Sequence, residues 1–102
     1  MNNRIEIFQH NTKTIGCYIY GGLDLSTYTP YFTVKQKAAG SAEILSKVGM
    51  VTDPSTTVTF DFTATDTSIA PGNYVYDITL IDDPTVYTVV KDSFVILDSV
   101  KY

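Results

Sequence analysis

Catalysis in a small chain needs a nucleophile beside a base, or side chains that converge on a metal, and this sequence offers few residues for either. Among its 102 residues there is one histidine, His10, and one cysteine, Cys17. A histidine-based zinc site or a catalytic triad needs partners at set spacings, and neither a nucleophile-elbow serine motif nor a cysteine pair accompanies them. His10 falls in the polar stretch His10-Asn11-Thr12 and reads as an exposed turn residue. Cys17 lies between Ile15 and Ile19 in an alternating run, so it reads as a small buried hydrophobe, with no second cysteine for an intrachain disulfide. Asp82 and Asp83 are adjacent, and with Asp53 or Asp66 they would approach a weak calcium site only if their loops met, because calcium takes six to eight oxygens. No stretch has the spacing of an EF-hand loop, and turn chemistry accounts for these aspartates. Gly21-Gly22 is followed by no lysine or helix start at phosphate-loop spacing. The expectation is a non-enzymatic protein with no catalytic, cofactor-binding or metal-binding residues.

Recognition is the chemistry that remains. The chain has eight tyrosines and five phenylalanines and no tryptophan. Exposed tyrosines can anchor a protein interface or stack on a sugar. Tyr18, Tyr20, Tyr28, Tyr31 and Tyr87 fall on outward positions of the predicted strands, while Val95, Leu97, Val100 and Tyr102 add apolar surface beyond the needs of one small core. The candidate interface is therefore Tyr18, Tyr20, Tyr31, Tyr87, Val95, Leu97, Val100 and Tyr102, with a protein partner as the first expectation and a surface glycan as the alternative. The net charge is −4, and the few basic residues are scattered. Nucleic acid needs a clustered basic face, so it is not expected as a partner. No run approaches the roughly 20 apolar residues of a membrane span, and the N-terminus lacks the apolar core of a secretory signal, so synthesis in the cytoplasm is expected.

The elements that would position these residues read as strands. Asp66 to Leu80 is the organising stretch: Pro71-Gly72 forces a turn, after which Tyr74, Tyr76, Ile78 and Leu80 share one face. A tyrosine just after such a turn can hydrogen-bond back across it, and Tyr74 is the candidate for this tyrosine corner, with Tyr76 where an antibody domain carries its second cysteine. Upstream, Arg4 to Phe8 and Lys13 to Tyr20 alternate as two strands, the second with Ile15, Cys17 and Ile19 inward. Leu23 and Leu25 plug one end of the core, and Tyr28 to Lys37 turns Phe32 and Val34 inward.

Glu43 to Val51 also fits helical spacing, but Gly49 and its β-branched residues favour one strand with Ile44, Ser46, Val48 and Met50 on a face. Val58, Phe60 and Phe62 mark the next strand. After a hairpin at Asp82-Asp83-Pro84, the run Val86 to Leu97 changes parity near Lys91-Asp92-Ser93, where a bulge or a switch between sheets is expected. About seven short antiparallel strands with regular turn signals predict an all-β, single-domain, immunoglobulin-like β-sandwich, a small open barrel being the competing architecture.

The segments Tyr31-Phe32-Thr33-Val34-Lys35, Ile44-Leu45-Ser46-Lys47, Asp66 to Leu80 and Val86 to Leu97 add a resemblance. The chain resembles the small immunoglobulin-like virion proteins of tailed bacteriophages, a group that includes the N-terminal domain of phage baseplate upper proteins. The resemblance spans Ile5 to Leu97 and is most specific over Thr65 to Ile78 and over Val86 to Lys91. It implies a structural part of the particle, with major capsid, fibre or baseplate proteins as partners and a homo-oligomeric or lattice-bound state. The baseplate protein continues into further domains where this chain stops at Tyr102. The expectation therefore favours an auxiliary capsid (decoration) protein or head-fibre attachment module over a baseplate component, with a carbohydrate-binding adhesion module as the alternative from another class.

Overall fold

Alternation of apolar and polar residues along short segments, broken by turns, produces eight strands among the described residues. The computed structural model describes residues 3–19, 25–36, 42–52 and 57–99. The strands are β1 (Ile5–Phe8), β2 (Lys13–Tyr18), β3 (Thr29–Lys35), β4 (Glu43–Val48), β5 (Met50–Thr52), β6 (Thr57–Phe62), β7 (Gly72–Asp82) and β8 (Thr85–Leu97), with a 3-10 turn at Leu25–Thr27. Five of them form one sheet in the order β1-β8-β7-β3-β4, and three form the other in the order β2-β6-β5.

This order is that of an immunoglobulin sandwich. β3, β7 and β8 take the places of strands C, F and G, with β4 added beside C as in variable-type domains, and β2, β6 and β5 take those of B, E and D. One detail corrects the sequence expectation. β1 runs parallel to β8, pairing Ile5 with Phe94 through Phe8 with Leu97, so the sandwich is not wholly antiparallel.

The eighth strand arises at Gly49. An added Cβ there would lie 2.6 Å from both the Phe60 ring and the Thr59 carbonyl oxygen, so only glycine lets the chain pass over β6. The Gly49 N–H donates to the Pro30 carbonyl at 2.9 Å, and the chain crosses from one sheet to the other. The expected single strand from Glu43 to Val51 is therefore two, and the expected shared face of Val48 and Met50 is turned to solvent, at 62% and 65% exposed, while Leu45 packs on the core.

Between β7 and β8 the register shifts from Ile78 opposite Val90 to Thr79 opposite Thr88. The expected bulge thus falls at Val89, which is the extra residue. The β7–β8 hairpin closes over Asp83–Pro84, whose peptide bond is cis.

Phe32 is the centre of the core. Its ring stacks on Tyr76 at 4.8 Å and 2°, and meets Phe60, Phe62 and Phe94 edge-on at 5.4, 5.0 and 5.8 Å. These are the offset and edge arrangements that aromatic quadrupoles favour. Leu25, Val34, Val58, Leu80 and Phe94 are fully enclosed around it, so Leu25 belongs to the core, while Leu23 lies outside the described residues.

Candidate functional site

A connected set of polar contacts lies at the turn before β7. Thr63 and Asp66 bond reciprocally: the Asp66 carboxylate accepts the Thr63 N–H at 2.8 Å, and the Thr63 hydroxyl accepts the Asp66 N–H at 3.1 Å. This is the bonding of a capping box, here starting a single turn in which the Thr67 N–H donates to the Thr63 carbonyl. Lys47 reaches the same carboxylate at 2.8 Å. The Lys47 hydrogen bond and the Thr63 bonds together hold the Asp66 carboxyl below its ordinary range despite some desolvation.

Thr67 is completely buried, a cost that is met because its hydroxyl donates to the Asn11 carbonyl at 2.7 Å. The turn after β1 closes over it. The Gln9 N–H donates to Leu97 O, the Gln9 side-chain amide donates to Ile69 O, and the His10 N–H donates to Thr67 O. His10, at φ 67°, sits in this turn as expected but is half-buried, with Nδ1 2.8 Å from the Ser68 hydroxyl. That hydroxyl donates to Ala64 O at 2.8 Å, which leaves its oxygen to accept from Nδ1. The histidine is thus spent on tying two turns together.

Tyr74 is the tyrosine corner: its hydroxyl donates to the Ala70 carbonyl at 2.6 Å, across the Pro71-Gly72 turn. Two residues on, Tyr76 is 3% exposed, and its hydroxyl donates to the Asn3 carbonyl at 2.5 Å. Burial, with smaller contributions from Asp92 and Cys17, pushes its phenol up to about 12. Cys17 on β2 and Tyr76 on β7 line one cleft of about 230 Å³ with Ile5, Ile15, Ile78 and Val90. This is the B-to-F position at which antibody domains place their disulfide. The Cys17 thiol is half-buried, and burial raises its pKa, the opposite of what a reactive thiol needs.

The expected interface residues scatter over the molecule. Tyr18 is 54% exposed at the end of β2 in the three-stranded sheet. Tyr31 is half-buried on the outer face of the five-stranded sheet, where it lines a concavity of about 390 Å³ with Thr33, Lys35, Glu43, Asp77 and Thr79. Tyr87 is 47% exposed near the β7–β8 hairpin, its ring 6.0 Å from that of Tyr28. Val95 is buried, in alternation with the core residues Phe94 and Ile96, and so adds no exposed apolar surface. Leu97 is half-buried opposite Phe8. Tyr20, Val100 and Tyr102 lie outside the described residues, as does Asp53. Among the described residues, no three His, Cys, Asp or Glu side chains converge on a possible metal position.

No family model and no curated protein sequence matches the chain.

Three features of these surfaces go beyond the sequence expectations. The Thr63-Ala64-Thr65-Asp66 spacing is a capping-box signal that was available. Thr67 carries no such signal, because its burial depends on the distant turn at Asn11. Val48 and Met50 are both exposed, one on each side of the point where the chain changes sheet.

Proposed function

We propose that this chain is a non-enzymatic structural protein of a bacteriophage particle, an auxiliary capsid protein or a head-fibre attachment module that docks through its sandwich. The observation that carries this reading is where the residues of the phage resemblance fall. Across Thr65 to Ile78, Asp66 holds Lys47 and Thr63, Thr67 locks the first turn, Tyr74 makes the corner, and Tyr76 and Ile78 enter the core. The run that carries the resemblance is thus built into the framework of the fold, which supports a scaffold role for the chain. Phe8, Tyr18, Val48, Met50, Val86 and Tyr87 supply exposed apolar contacts around it, each between 47% and 65% exposed. On a lattice, many weak docking sites suffice through avidity.

The test is quantitative mass spectrometry of purified particles. A copy number commensurate with capsid subunits or symmetry axes supports the head assignment. A handful of copies moves the chain to the tail or baseplate, and absence from the particle refutes the reading.

A carbohydrate-binding role is favoured by one observation, the concavity at Tyr31. There an aromatic ring, threonine hydroxyls, Asp77 and the pair Lys35 and Glu43 converge, a combination able to stack on a sugar and bond its hydroxyls. Glycan-array binding by the isolated domain that is lost in Tyr31→Ala would support it. Binding that survives Tyr31→Ala would remove Tyr31 from the site.

A further inference from the structure

A β-sandwich that stays monomeric must protect its sheet edges, because an edge strand carries unpaired N–H and C=O groups ready to accept another strand. The four strands that end the two sheets differ sharply in this respect. β1 is four residues long, and an Arg4–Glu6 ion pair at 2.9 Å lies along it. β4 carries a register break opposite Val34/Lys35 and the charges of Glu43 and Lys47. β5 is three residues long. β2 has none of these devices: six residues in unbroken register with β6, no proline, and a single charge at its first residue, Lys13. No other described strand pairs with its outer side.

The sequence of β2 also fits itself. Set antiparallel to a second copy about a two-fold axis at Gly16, Ile15 of each chain lies opposite Cys17 of the other on the inward side. Thr14 lies opposite Tyr18 on the outward side, and Lys13 faces Ile19, so no like charges meet. Residues directly opposite in an antiparallel pair share a face, so both sandwiches keep their cores on the same side of the joined sheet. Ile15 and Cys17 already pack on the core at their edge, and Tyr18 is 54% exposed. Glycine at the axis leaves room on the outer face between the two Tyr18 rings. Centring the pairing on Ile15 would instead set Lys13 against Cys17, and centring it on Cys17 would keep only Gly16, Cys17 and Tyr18 of each β2 in the pairing, where the Gly16 axis keeps Thr14 to Tyr18.

We infer that the β2 edge is a self-association site, through which two copies join as a two-fold dimer centred on Gly16 with a continuous six-stranded sheet β5-β6-β2-β2-β6-β5. The inference stands on the edge itself and does not depend on the particle assignment.

Sedimentation of the full chain over a range of concentrations tests it, together with two variants. The wild type is expected to pass from the 11.3 kDa monomer to twice that mass as concentration rises. Gly16→Lys is expected to stay monomeric with unchanged circular dichroism, because a Cβ at Gly16 meets nothing closer than the Thr59 methyl at 4.0 Å while two lysines would face each other at the axis. Ile15→Cys is expected to form a covalent dimer on mild oxidation, since opposed residues in an antiparallel pair are about 4.5–5.5 Å apart at Cα, within disulfide range. That crosslink must vanish when Cys17→Ser is added. A wild type that remains monomeric throughout, a dimer that persists in Gly16→Lys, or an Ile15→Cys chain that does not crosslink overturns the inference.

Discussion

Replacing Gly49 with alanine should be among the most damaging single-methyl changes in this protein. The added Cβ would lie 2.6 Å from the Phe60 Cε1 atom, 2.7 Å from Phe60 Cδ1 and 2.6 Å from the Thr59 carbonyl oxygen. Phe60 is 1% exposed and holds an edge contact with Phe32, so its ring has little room to retreat. Thr59 is paired in register with both Gly16 and Met50, so its backbone is fixed from two sides. Overpacking of this kind costs about 1–3 kcal/mol, and a backbone obstacle puts this case at the upper end. At roughly 4–8 °C per kcal/mol for a domain of this size, Tm should fall by about 10 °C or more.

Gly16→Ala is the matched control on the same side of the fold. Its Cβ meets only the Thr59 methyl at 4.0 Å, and removing a strand glycine is favourable by about 0.5–1 kcal/mol. Thermal and urea unfolding of the two variants beside the wild type gives the answer. A Gly49→Ala Tm within a couple of degrees of wild type would refute the crossing of the chain over β6.

Further outcomes follow from the corner and its neighbours. Tyr74→Phe removes one neutral hydrogen bond, to Ala70, and should lower stability by about 1 kcal/mol with an unchanged urea m-value. Asp66 has a folded pKa below its unfolded value, so its contribution is present above the unfolded carboxylate range near pH 4 and is lost as pH falls through the lower folded value. Asp66→Asn should therefore flatten the acid limb of the stability–pH curve. Tyr76 is the opposite case: with a folded pKa raised to about 12, its contribution is full below the unfolded value near 10 and is lost as pH rises through about 12. Tyrosinate absorbance should show a late-titrating group that disappears in Tyr76→Phe.

What the sequence reveals and what it conceals divide along the range of the interactions. β6 and β7 are legible because Val58, Phe60 and Phe62, and then Tyr76, Ile78 and Leu80, alternate cleanly with polar residues and become the buried face. Tyr74 is legible because the corner is a local motif spanning four residues. The crossing at Gly49 is not, since a period of two continues through it while the sheet changes, and the glycine's reason lies on β6. The parallel pairing of β1 with β8 has no local signal either, because its partners stand at opposite ends of the chain. Val95 misleads as well: it counts as surplus apolar surface in the sequence, and the fold buries it together with its neighbours Phe94 and Ile96. The interface candidates share this difficulty, since outward parity alone does not bring Tyr18, Tyr31 and Tyr87 into one patch.

The proposed place of this chain on a phage capsid is open to image reconstruction. Particles from a host expressing the intact gene would be compared with particles from which the gene is deleted. A capsid component of this kind should leave difference density the size of one immunoglobulin-like sandwich, repeated on the capsid lattice or at its fibre-bearing vertices. Identical maps, with the protein missing from both, would contradict it.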